Sequence, residues 1–237
     1  HIDGATLPDK YGARAIPIDF PNPMDLISGK TGHGIWLHGV DREARIEEAK
    51  VTEGCVAFYN SDIDRLSSWL KSHQGVVVIA RDMSEVNRPQ DIDAVKQATM
   101  GWMDAWSKRD IQGYMSHYAP DFHYQKYDYA GYRNYKERVF ASYSVMDVKY
   151  DNLRIITHPK YAVSFFNQDF QGDKRFSSIG RKILYWEQKP NGIWMIKREV
   201  FENRRFEHVT YTDGELALLS GPASGIPSED KEKKGNL

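Results

Sequence analysis

With 237 residues the chain is longer than one average domain needs, so two compact units are the starting expectation. Hydrophobic residues make up 41% and aromatics 13%, enough for packed cores, while a net charge of −1 excludes bulk attraction to nucleic acid or anionic lipid. No apolar run approaches the roughly 18 residues of a membrane span, and a single cysteine excludes an internal disulfide.

Residues 1–60 are rich in Gly, Pro and Asp, with short apolar pieces, Ile16-Pro17-Ile18 and Gly34-Ile35-Trp36-Leu37, that read as strands between long loops. Ser61 and Asp64 have the spacing of a capping box, predicting a helix over 61–72. Gly75 then opens an apolar strand over 76–80. The polar stretch that follows, with Asn87, Arg88 and Pro89, has the composition of a linker.

Ile92, Val95, Thr99, Trp102 and Trp106 recur at three-and-four spacing and mark the buried face of a helix ending near Lys108 and Arg109. Shorter helices are predicted over 110–118 and 132–143. Beyond them apolar residues alternate with period two: Leu153 and Ile155; Tyr161, Val163 and Phe165; Ile179, Ile183 and Tyr185; then Trp194 and Ile196, continued by Arg198 and Val200. These are antiparallel strands, and Asn191-Gly192 predicts a two-residue hairpin with positive φ at both positions. Helices first and a meander after give an α+β class. The segment from Thr212 onward lacks the apolar content to bury itself and is expected to be disordered.

The lone thiol, Cys55, has a bland explanation as inert filler. Against it stands the setting: His38 ends an apolar run and is followed by Gly39, and seventeen positions later Thr52-Glu53-Gly54-Cys55 leads into another apolar piece. The strand end places His38 where it would emerge into a loop, and both residues flank that one loop. A thiol attacks a carbonyl only as thiolate, which a neighbouring imidazole can generate, and amides of Gly54 and Cys55 would face the developing oxyanion. The chemistry implied is acyl transfer. Eight scattered histidines show no metal-ligand spacing, and no cofactor is expected.

Thr31-Gly32-His33-Gly34-Ile35-Trp36-Leu37-His38-Gly39 followed by Thr52-Glu53-Gly54-Cys55-Val56 resembles the signature of the L,D-transpeptidase (YkuD-type) catalytic domain, a His-Gly followed by Ser/Thr-x-Gly-Cys. Phe20-Pro21-Asn22-Pro23-Met24-Asp25 resembles the Pro-Asn segment of one branch, so the resemblance spans roughly residues 15–82. Trp102, Trp106, Asp110 and Tyr118-Ala119-Pro120-Asp121-Phe122, with the meander, resemble a cone-shaped nuclear transport factor two-like (SnoaL-like) domain. The fusion is similar to the cell-shape-determining L,D-carboxypeptidases of curved and helical bacteria.

The implied organisation is a β-rich catalytic domain over 1–85, shortened at its start, a linker over 86–90, the α+β cone over 91–209 and the tail over 210–237. The resemblance makes Cys55 the nucleophile, His38 its base and Gly39 the carbonyl that orients the imidazole. It implies cleavage of the bond between meso-diaminopimelate and D-alanine in peptidoglycan tetrapeptide stems through a thioester, in the periplasm, after export. Water as acceptor makes a carboxypeptidase, an amine a cross-linking transpeptidase. The family motif has His at the position of Glu53 and Arg at that of Ala57, so the support of the cysteine loop differs here.

Lesser candidates are His33 for a substrate carboxylate, and Trp36 and Thr52 beside the groove. His33 between two glycines reads equally as a loop anchor, and Trp36 more readily as core. Arg42, Arg45 and Lys50 in the intervening loop would meet an acidic stem or simply be solvated. In the cone, Tyr118, His123 and Tyr124 belong to an aromatic set suited to a glycan or an envelope protein. A catalytically silent envelope-binding module is therefore the rival reading.

Overall fold

The computed structural model describes residues 2–3, 8–48, 50–72, 76–203 and 205. The expected tail and Gly75 lie outside the described residues.

The first part is built on a small mixed sheet ordered β1 (Ile2–Asp3), β2 (Arg14–Pro17), β3 (Trp36–His38) and β4 (Val56–Ala57). β2 runs antiparallel to both β1 and β3, whereas β3 and β4 are parallel, as a strand pair with a long intervening loop allows. Between β2 and β3 lies α1 (Pro23–Ile27). Asn22 caps it, accepting from Met24 N at 2.8 Å and Asp25 N at 3.1 Å while Asp25 accepts from Asn22 N at 3.1 Å. This reciprocal cap, with Pro23 at the first helical position, lets so short a helix hold. α2 (Asn60–Ser72) packs on β2 and β3, with Ile63 and Ser67 fully buried. The helix begins one residue before Ser61: the Tyr59 carbonyl accepts from Asp62 N and Ile63 N, so Ser61 is inside the first turn rather than its cap.

The expected strand over 76–80 does not form. Val76, Val77, Val78 and Ile79 are exposed, Ile79 to 71%, because no strand among the described residues pairs with them.

The second part packs three helices on a four-stranded meander. α3 (Pro89–Ser107) buries Val95, Thr99, Trp102 and Trp106, four of the five positions that its spacing selects, against β7 and β8. α4 (Ile111–Ser116) is capped by Asp110, and α5 (Tyr129–Ser142) by Asp128. A small hairpin, β5 (His123–Tyr124) with β6 (Tyr127–Asp128), precedes α5. The sheet runs β10 (Trp194–Glu202), β9 (Phe176–Gln188), β8 (Tyr161–Gly172), β7 (Met146–His158), antiparallel throughout. Its core includes the fully buried rings of Trp102, Trp186, Tyr114, Tyr118, Tyr132 and Phe166.

Two local readings change. The β9–β10 turn is longer than two residues: Gly192 N donates to Lys189 O and Lys189 N to Ile193 O, both at 2.8 Å, with φ 83° at Gly192. Pro190 and Asn191 form the corners of the turn closed by Gly192 N and Lys189 O, and Gly192 is left-handed while Asn191 is not, so the two-residue turn with positive φ at both Asn191 and Gly192 does not form. More consequentially, the pairing of β10 slips between Ile196 and Arg198. The bulge inverts the alternation beyond it, so Glu199, opposite Leu184, is buried in place of Arg198 and Val200.

Candidate active site

β3 ends in His38, and the parallel register sets Leu37 opposite Val56 and His38 opposite Ala57. Cys55 is the residue immediately before β4, so the segments bearing the thiol and the imidazole run side by side in one direction. The intervening loop turns back through Gly54 at φ 124°, a backbone conformation that side chains disfavour. A Cβ there would also press on Ile35 Cδ1 at 2.9 Å. Thr52 closes the turn, its hydroxyl donating to the Cys55 carbonyl at 2.7 Å.

Cys55 is half-buried, and its Sγ lies 3.6 Å from the Gly34 carbonyl oxygen. His38 is only 5% exposed, buried in the sheet rather than carried into the loop as its strand-end position suggested. Its Nδ1 stands 2.5 Å from the Gly39 carbonyl oxygen, and its ring meets Tyr11 edge-on at 5.0 Å. A carbonyl can only accept, so Nδ1 carries a proton, and in the neutral ring the lone pair is then on Nε2. That neutral tautomer is the one able to take a proton from a thiol.

The lesser candidates divide. Trp36 is half-buried against Tyr11, with ring centroids 5.1 Å apart, and His33 is exposed between Gly32 and Gly34. Arg45 is engaged internally, donating to Asp41 at 2.7 Å and to the Val51 carbonyl at 3.2 Å, while Arg42 and Lys50 are exposed.

In the second part, Tyr118 is buried in a network centred on Glu199. Tyr118 and Tyr132 hydroxyls donate to the two Glu199 oxygens at 2.9 and 2.7 Å, and Lys182 Nζ lies 3.2 Å from Oε1. Trp102 Nε1 donates to the Tyr118 hydroxyl at 2.9 Å. Lys136 Nζ stands over the faces of Trp106, Tyr114 and Tyr132 at 5.1 to 5.3 Å. Burial would raise the Glu199 carboxyl, but the Lys182 and Lys136 charges and the tyrosine hydrogen bonds outweigh it and hold it below its ordinary value. Burial pushes Lys136 down to about 8.

His123 and Tyr124 stand apart from Tyr118, at a cavity of about 350 Å³ whose lining includes Pro23, Arg198, Glu199 and Phe201. The Asp121 carboxylate is bound by Lys197, which lowers it, while His123 Nδ1 lies 3.0 Å from the Asp121 backbone carbonyl oxygen. Sequence reasoning missed Glu199, Lys136 and Lys182. The available signal was a lysine in phase with Leu184 and Trp186 on an otherwise apolar face. Among the described residues no group of three or more His, Cys, Asp or Glu is placed to hold a metal ion, and no helix is long and apolar enough to cross a membrane.

Residues 6–79 match the L,D-transpeptidase catalytic domain model, and residues 94–200 the Cds6 C-terminal NTF2-like domain model. Among solved structures, the chain is similar to Bd1075 of Bdellovibrio bacteriovorus, with TM-score 0.66, 24% identity, and coverage of 87% of this chain and 74% of that one. It is also similar to the helical cell shape determining protein Pgp2 of Campylobacter jejuni, with TM-score 0.63, 21% identity, and coverage of 84% and 71%. At these identities the likeness is one of fold. No curated protein matches the chain significantly in sequence.

Proposed function

The chain carries an L,D-transpeptidase catalytic domain followed by an NTF2-like domain, and from that premise we propose that it is a periplasmic peptidoglycan L,D-carboxypeptidase with Cys55 as nucleophile. The observation that carries the reading is the imidazole of His38, locked by the Gly39 carbonyl in the tautomer that leaves Nε2 basic, on the strand beside the one that Cys55 leads into.

His38 Nε2 takes the thiol proton as Cys55 Sγ attacks the carbonyl between meso-diaminopimelate and the terminal D-alanine. The proton passes to the leaving amine, D-alanine departs, and a thioester remains on Cys55. Amides of Gly54 and Cys55 are the proposed donors to the oxyanion. Water, activated by the same imidazole, then hydrolyses the thioester. In the NTF2-like domain, Tyr124 and His123 at the cavity mouth are proposed to hold a glycan or peptide part of the sacculus, over the buried Tyr118 network.

Incubation of the purified protein with tetrapeptide muropeptides tests this. Release of D-alanine without dimers is expected. Diaminopimelate–diaminopimelate dimers would make it a transpeptidase, and an unchanged muropeptide profile would leave the silent binding module.

A further inference from the structure

The reading of His38 as base leaves open what holds the Gly39 carbonyl toward its ring. Asn60 opens α2, five residues beyond Cys55. Its Oδ1 accepts from Val40 N and from Ala13 N, both at 3.2 Å, and its Nδ2 donates to the Val40 carbonyl at 2.9 Å. Its own backbone N–H donates to Glu43 Oε1 at 3.0 Å, in the loop between the histidine and the cysteine.

The Val40 N–H and the Gly39 C=O belong to one peptide group, which is planar and trans, so its N–H and C=O point in opposite directions. Fixing the first direction fixes the second. The amide oxygen that captures the Val40 N–H on one side thereby aims the Gly39 oxygen at His38 Nδ1 on the other. The fit is close: a Cβ on Gly39 or on Gly12 would collide with Asn60 Oδ1. Gly39 N is itself tied to the Arg14 carbonyl at 3.0 Å, and buried Val40 follows, leaving this peptide few alternatives while Asn60 is present.

We propose that Asn60 is a positioning residue for the acyl-transfer reaction, setting the tautomer of His38 through the Gly39–Val40 peptide group without touching substrate. The inference rests on the reading of His38 as the base. Its test reads the imidazole directly and needs no turnover.

Nitrogen NMR of the His38 ring, assigned with His38→Gln, is expected to show the Nδ1–H tautomer in the unaltered protein. In Asn60→Ala and Asn60→Leu a rise in the Nε2–H form is expected. Asn60→Asp keeps the acceptor for the Val40 N–H, loses only the donor, and should keep the Nδ1–H form. On tetrapeptide stems, kcat should fall about 10–100-fold in Asn60→Ala with KM unchanged, as for other residues that orient a reacting group, and should largely recover in Asn60→Asp.

A folded Asn60→Ala or Asn60→Leu protein that retains the Nδ1–H form would overturn the proposal. Should both apolar variants unfold, Asn60→Ser, polar but too short to reach the Val40 N–H, decides: a rise in the Nε2–H form upholds the proposal and retention of Nδ1–H refutes it. An Asn60-dependent tautomer in a protein that never releases D-alanine would sink the carboxypeptidase reading and leave the positioning role standing.

Discussion

An imidazole that is nearly buried and bonded to its neighbour's carbonyl has little freedom to sample wrong orientations, which suits the proposed role of His38 as general base. His38→Ala is therefore expected to lower D-alanine release by about 10²–10⁴-fold, and to slow alkylation of Cys55 by iodoacetamide at neutral pH. Alkylation at the unaltered rate would show that the thiol does not depend on this imidazole. Thr52 acts on the same loop from its other end. Thr52→Val removes the bond to the Cys55 carbonyl, and urea unfolding should register a loss of about 1 kcal/mol.

At the scale of elements, β9 and β10 bury Lys182 and Glu199, and α5 adds the half-buried Lys136 over the aromatic rings, two cations and one anion together. Removing the anion alone leaves buried positive charge uncompensated, so Glu199→Ala should cost about 3–5 kcal/mol, seen as a lower melting temperature. Because the Glu199 carboxyl is held low in the folded chain, its contribution is present above its unfolded value and disappears as pH falls through the folded one.

Lys136 is lowered too, so it also makes stability rise with pH, but in a higher window and by relief of a cost. Its folded value of about 8 lies under the ordinary 10.5, so the cost of burying its charge is in force below pH 8 and is relieved as pH rises toward 10.5. The tyrosines Tyr114, Tyr118 and Tyr132 are pushed well above 10, chiefly by burial, so stability they contribute is lost at higher pH as the unfolded tyrosines ionise. Denaturation curves across pH 7–10 should thus show stability rising from pH 8, with the rise absent in Lys136→Met. A flat profile in the unaltered protein would refute the assignment.

Across the molecule, the stretch between the two matched domains is fastened to the meander rather than hanging free. Asn87, at φ 57°, donates from its N–H to the Thr157 carbonyl and accepts from Thr157 N, both at 2.9 Å. Asn87→Ala loses the side-chain bond and keeps a left-handed backbone that alanine disfavours, a cost of about 1–2 kcal/mol in urea unfolding. Asn87→Gly should recover part of that loss, since glycine adopts this conformation freely.

How much was legible in the sequence depended on how near each determinant lay along the chain. The α3 face, the meander strands and the His38-Gly39 and Thr52-x-Gly-Cys55 spacings were readable because helical period, strand alternation and turn chemistry involve close neighbours. That Cys55 is this chain's one thiol, beside glycine and downstream of a histidine, needed no fold at all. Tertiary structure alone decided which face of β10 turns inward past its bulge, and so that Glu199 rather than Arg198 meets Lys182 and Lys136. It alone buried His38, left 76–80 without a strand partner among the described residues, and brought Asn60 to the peptide group of Gly39 and Val40. Each of those outcomes turns on a partner far away in sequence, and a hydrogen bond or a packed face has no signature in the chain until folding supplies that partner.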